Sequence, residues 1–170
     1  MLYIDFTPDS DSDIPAGAAR AWREGLTRLA TLSATDLRYG WFAYQIDFKV
    51  GGHAFLSKTR EPLVDIMFTL AYTLQELRTG GSAEINFTEN SYVIHLKLVG
   101  DRVRFTSPHR TPAVPPTCPF EDYTAAVRAF VASGVAYLVE SRPALAENPA
   151  LDELRALVSD PAGGVTGNQE

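Results

Sequence analysis

Four side chains in this sequence have the chemistry to move protons or attack an electrophile: His53, His95, His109 and Cys118. Histidine suits acid–base work because its proton affinity lies near neutrality. No two of the histidines stand at the four-residue spacing of a helical metal site, and no HExxH occurs. Cys118 is the only cysteine. It excludes an internal disulfide and lies among prolines, where a small packed residue is the plainer reading. A structural zinc site takes about four ligands rich in cysteine and histidine, and the four such residues here are scattered with no paired ligand spacing. GxGxxG, GxxxxGK[ST] and GxSxG are all absent. No cofactor, metal or catalytic residue is therefore expected.

Two groupings still deserve a chemical reading. His95 alternates onto the polar side of an apolar strand pattern, together with Glu84, Lys97, Arg102 and Arg104. With Asp47 or Glu84 beside it, His95 would form an acid–base pair, and Arg102 and Arg104 would bind a carboxylate or phosphate. Asp65 and Tyr72 are two helical turns apart, with Thr69 between them, and add polar groups to such a pocket. The pocket residues on this reading are Asp47, Asp65, Tyr72, Glu84, His95, Arg102 and Arg104.

The second grouping suits a protein partner. Asp9, Asp11 and Asp13 alternate in DSDSD. Calcium loops begin this way, but Ile14 stands where the tight turn needs glycine and Arg20 where a bidentate glutamate is needed. An acidic surface is the reading that remains. Tyr39, Trp41 and Tyr44 place aromatic side chains next to charged ones. Together with Asp9, Asp11 and Asp13 they form the expected contact set for another protein.

These residues must be held by a scaffold, and the 170 residues with 45% apolar content suffice for one core. The net charge of −6 divides into −4 over residues 1–14, +3 over 15–118 and −5 over 119–170. No concentrated basic track suggests nucleic acid, and no apolar run is long enough to span a bilayer. The first residues turn acidic at once, which argues against a secretory leader. A cytoplasmic location follows as the expectation.

The organising pattern is the period of two from Ser82 to Ser107, with breaks at Glu89–Ser91 and Gly100–Asp101. It predicts a three-strand meander. Leu2, Ile4 and Phe6 predict a short first strand. Trp41–Val50 and His53–Ser57 predict a hairpin turning at Gly51–Gly52. On it, Phe42, Tyr44, Ile46, Phe48 and Val50 share one face, and Trp41, Asp47 and Lys49 the other. Amphipathic helices are predicted over Ala16–Leu32, from about Pro62 to Arg78, and over Phe120–Arg142, with a shorter one at Leu151–Val158. Ser33 and Asp36 have capping-box spacing. The five prolines from Pro108 to Pro119 predict a stiff connector.

The expected architecture is α+β: one domain over residues 1–160, a single antiparallel sheet of about five or six strands covered by two or three amphipathic helices, and a flexible tail over 161–170. The expected function is a non-catalytic protein-binding, regulatory or inhibitory domain. It resembles immunity proteins in being small and acidic, which suits a basic partner. A homodimer through an exposed strand is a further option. The alternative is a small-molecule-binding protein or enzyme with His95 as its acid–base group.

Overall fold

The computed structural model describes residues 1–87, 91–108 and 112–159. The expected single sheet is two separate antiparallel sheets, and five α-helices accompany them rather than two or three. The first sheet has the order β1 (Leu2–Thr7), β2 (Ala43–Val50), β3 (His53–Pro62). The second has the order β4 (Ser82–Asn86), β5 (Val93–Val99), β6 (Arg102–Thr106), β7 (Thr117–Pro119).

The split has two visible causes. The β2–β3 register shifts between Ile46 and Phe48, and Lys58 on β3 sits at φ 49°. A bulge with a left-handed lysine bends the outer edge of β3 and discourages a further strand there. The chain then enters α3 (Leu63–Gly80), and β4 begins a new sheet after Gly81 takes the left-handed C-cap at φ 70°. The Gly51–Gly52 turn has φ 57° and 84°, as the predicted hairpin requires.

The Ala16–Leu32 stripe does not form one helix. The α-helix α1 covers only Ala19–Arg23, flanked by 3-10 turns at Ala16–Ala18 and Leu29–Thr31. Gly25 adopts φ 69°, a conformation that ends a right-handed helix. By contrast α2 (Ala34–Arg38) starts as predicted. Ser33 Oγ accepts from the Asp36 amide at 3.0 Å and donates to its carboxylate at 2.7 Å. The prolines do not keep the connector out of the second sheet. Thr117–Pro119 pairs with β6, setting Cys118 opposite Val103.

Helix α4 (Phe120–Ser141) and helix α5 (Pro149–Val158) complete the chain's described part. One core joins the layers. Phe48 and Phe55 of the first sheet meet Phe105 of the second at ring distances of 5.9 and 6.1 Å. Leu63, Met67, Leu70 and Leu74 of α3 and Tyr123, Val127 and Leu138 of α4 are buried beside them. Asn148 is fully buried and ties α5 to the N-terminal third: its amide donates to Leu29 O at 2.7 Å and Leu32 O at 3.0 Å, while its oxygen caps Ala150 N at 2.9 Å. His109 and the predicted tail at 161–170 lie outside the described residues.

Candidate functional site

Strand alternation on the second sheet sends Ala83, Ile85, Ile94, Leu96, Val103, Phe105 and Cys118 inward. The opposite parity builds an outer face. Cross-strand register sets Glu84 beside His95 beside Thr106, and Ser82 beside Lys97 beside Arg104 beside Thr117. Glu84 Oε1 lies 3.0 Å from His95 Nδ1, with both side chains about half exposed. The pairing fixes the imidazole through one nitrogen. Glu76 of α3 borders this row, and the three residues line an open groove of about 530 Å³.

A second hollow of about 250 Å³ continues from the first, sharing Glu76, Glu84 and Asn86. Its floor is the Asp65–Thr69–Tyr72 stripe of α3, and Arg38 and Tyr39 form its end. Asp65, the first member of this polar stripe, is only 3% exposed. Arg38, brought across from α2, contacts Asp65 Oδ1 at 2.7 Å and lies over the rings of Tyr39 and Phe68 at 5.4 and 5.0 Å. Asp65 also stands in the first turn of α3, where the helix dipole favours a carboxylate. Tyr72 donates to Glu153 at 3.3 Å; partial burial, and then the Glu153 charge, raise its phenol pKa.

Of the seven predicted pocket residues, Asp65, Tyr72, Glu84 and His95 therefore line adjoining parts of one groove. Asp47 does not join them. It lies on the first sheet, 3.4 Å from Lys49. Arg102 and Arg104 share the outer face with His95 but lie on β6, outside the groove lining. Arg102 Nε donates to Thr117 Oγ1 at 3.0 Å. Glu76 was legible as the next member of the α3 polar stripe. Arg38 was not, because its partner is 27 residues away.

The predicted partner-contact set is largely spent inside the molecule. Tyr44 is fully buried and Trp41 is 4% exposed, so neither offers surface to a partner. The parity assigned to Trp41 fails because β2 starts only at Ala43 and Phe42 sits at φ 53°, which redirects the chain ahead of the strand. Tyr39 remains exposed. Asp13 is buried and accepts from Arg142 Nη2 at 2.8 Å and from the Tyr44 hydroxyl. Asp9 accepts from Ser12 at 2.7 Å and faces Arg60 at 3.4 Å. Asp11 is exposed and makes no ion pair among the described residues.

Cys118 and His95 occupy opposite faces of the same sheet and do not meet. Burial, reinforced by Asp122, pushes the Cys118 thiol up to about 11. It is a protonated core residue at neutral pH, not a nucleophile. His53 belongs to the first sheet and packs edge-on against Phe55 at 4.7 Å. Among the described residues no group of three or more His, Cys, Asp or Glu is arranged to hold a metal ion, and no helix is long and apolar enough to cross a membrane. Comparison with protein families, curated proteins and solved structures finds no match to this chain.

Proposed function

We propose that this chain is a non-catalytic protein-binding domain that receives a polar segment of another protein along the groove between α3 and the outer face of the second sheet. The observation that carries this reading is the groove itself. It is open, it runs over two adjoining hollows of about 530 and 250 Å³, and charged and amide side chains line it. Small-molecule sites are usually enclosed and mostly apolar, whereas an open polar trough on rigid strands suits a chain segment. Its side chains are pre-organised by the Arg38–Asp65 and Glu84–His95 pairs, which lowers the ordering cost of association. Covering a partner's surface is the simplest output of such a domain, and regulation by blockage follows from it.

Native co-purification tests the reading when groove variants are included. Wild-type protein should recover a discrete partner, and a Thr69→Trp/Asn86→Trp variant, whose rings fill the hollows without changing their charge, should lose it. Lys58→Glu, on β3 of the other sheet, should retain it. Equal recovery by all three forms would refute the groove as the docking surface.

The Glu84–His95 contact supports a second reading, a small polar ligand with His95 as its acid–base group. The carboxylate holds Nδ1 at 3.0 Å, the orientation in which Nε2 exchanges protons. NMR titration with small polar metabolites would show it through shifts confined to His95 and its neighbours. A screen that leaves those resonances unmoved removes this reading and keeps the first.

A further inference from the structure

The outer face of the second sheet contains a charge arrangement that the groove does not explain. Lys97 on β5 and Arg104 on β6 are direct cross-strand partners, and both are exposed. Like charges in that position destabilise a sheet. Neither makes an ion pair among the described residues. Arg102 lies two residues along the same face, with its guanidinium braced on the Thr117 hydroxyl. Among the described residues of these strands Glu84 is the one carboxylate on the face, and it is turned to His95. The face is thus cationic on a chain of net charge −6. A local rule broken without local compensation is what a binding surface produces.

We propose that this face binds an acidic, extended segment of the partner protein, with carboxylates held by Lys97, Arg104 and Arg102. The proposal rests on the docking reading above and gives the partner its chemistry. Three features favour this occupant. Arg102 and Arg104 repeat at about 6.8 Å along the strand, the same interval at which an extended peptide presents alternate side chains. Ser82 and Thr117 flank Lys97 and Arg104 in one cross-strand row, and Thr106 follows two residues along β6, so hydroxyl groups border the cations. The surface is open, with no converging buried donors, so a lone small anion would keep its water there. Three cations on an acidic chain are also too few for a nucleic-acid track. Two of the three carboxylates expected to meet a basic partner, Asp9 and Asp13, are instead paired internally with Arg60 and Arg142.

The test is fluorescence anisotropy at low salt with a labelled peptide of alternating glutamate and serine. The lysine–serine counterpart, oligothymidylate and inorganic phosphate serve as competitors. The acidic peptide should bind saturably and weaken with added salt. Lys97→Glu and Arg104→Glu should each weaken it by about tenfold or more, and Arg23→Glu, on α1, should leave it unchanged. Lys97→Glu sets a carboxylate opposite Arg104, so its Tm should equal or exceed that of the wild type. Loss of binding therefore cannot be assigned to unfolding. No saturable binding, equal loss in Arg23→Glu, or displacement by phosphate or oligothymidylate at comparable concentration would overturn the proposal. A co-purified partner that is lost in the Thr69→Trp/Asn86→Trp variant but ignores Lys97→Glu would leave the groove standing and remove the acidic segment.

Discussion

Substituting Arg142 by alanine tests the account of the N-terminal segment most directly. Arg142 follows α4 and delivers two hydrogen bonds to one oxygen of Asp13, at 2.8 and 3.2 Å. The Asp13 side chain is 3% exposed and that of Arg142 is 32% exposed. Breaking a fully buried pair from one side costs about 3–5 kcal/mol, because an uncompensated charge stays behind. Water reaches the arginine end here, so the pair term falls to about 2–3 kcal/mol. Arg142 also lies 5.6 Å over the Trp22 ring, worth about 0.5–1 kcal/mol more. The total is about 2.5–4 kcal/mol, or a Tm drop of roughly 5–15 °C for a chain of this size. Denaturant unfolding of Arg142→Ala, Asp13→Asn and the double variant separates the terms. In the Asp13→Asn background no buried charge is stranded, so Arg142→Ala should cost about 1 kcal/mol, giving a coupling of about 2 kcal/mol. Additivity within about 0.5 kcal/mol would refute the claim that Arg142 neutralises Asp13.

The remaining predictions concern the core. Asn148→Ala strands two buried carbonyls and a helix cap, and should cost about 2–4 kcal/mol by chemical denaturation, whereas an exposed cap alone would cost about 1. A Cβ on Gly134 would clash with Met67 Sδ. Gly134→Ala should therefore lose about 1–3 kcal/mol to overpacking against a gain of about 1 from helix propensity, and Met67→Ala in the same chain should relieve the clash in a double-mutant cycle. Burial raises the pKa of Cys118 to about 11, and burial likewise raises the Tyr44 and Tyr123 phenols, with Asp13 adding to the effect at Tyr44. The folded state keeps these protons while the unfolded chain releases them near 9 to 10, so stability should fall as pH rises above about 9. Each group withdraws up to about 1.4 kcal/mol per pH unit until its folded value is passed. Unfolding midpoints from pH 7 to 10.5 check this, and a flat profile would contradict it. Cys118 should react with a thiol reagent only as fast as the chain opens.

The strands and helices were legible wherever one local rule decided them. The Gly51–Gly52 hairpin, the Ser33 cap and the Gly81 end of α3 are each set by a few adjacent residues. Period-two alternation likewise assigned the inward residues of β4, β5 and β6. It names which side chains are buried but not which strand edges join, so one sheet and two sheets read alike. The split depends on a bulge at Lys58 and on where α3 returns the chain, and neither leaves a period. The Ala16–Leu32 stripe had helical spacing, yet short 3-10 turns satisfy the same spacing once Gly25 goes left-handed. Half of the groove was legible because Asp65, Thr69, Tyr72 and Glu76 lie on one helix face and Glu84 and His95 share strand parity. Asp13–Arg142 and Arg38–Asp65 were not, since pairs separated by 129 and 27 residues are made by the fold alone.

Exposure alone does not separate the outer faces of the two sheets, because the same alternation builds both. The first sheet also sets like charges opposite each other, Asp5 against Asp47. There the strain is relieved locally. The Tyr3 hydroxyl donates to Asp5 at 2.8 Å, the Phe6 amide donates to it at 2.9 Å, and Lys49 stands 3.4 Å from Asp47. Lys49 in turn lies 5.5 Å over the Tyr3 ring, so a cation and two donors offset the Asp5–Asp47 repulsion from within the face. On the second sheet Lys97 faces Arg104, and Glu84, the one carboxylate among the described residues of its strands, is turned to His95. One face offsets its like charges with a cation of its own, and the other leaves two cations for something outside the chain. Reversing the compensation separates the two cases. Lys49→Ala should destabilise the first sheet by exposing the Asp5–Asp47 repulsion, by about 0.5–1 kcal/mol at low salt. Lys97→Ala should leave the second sheet equally or more stable. If both substitutions destabilise equally, Lys97 has a counter-charge within the chain, and the case for an external acidic segment fails.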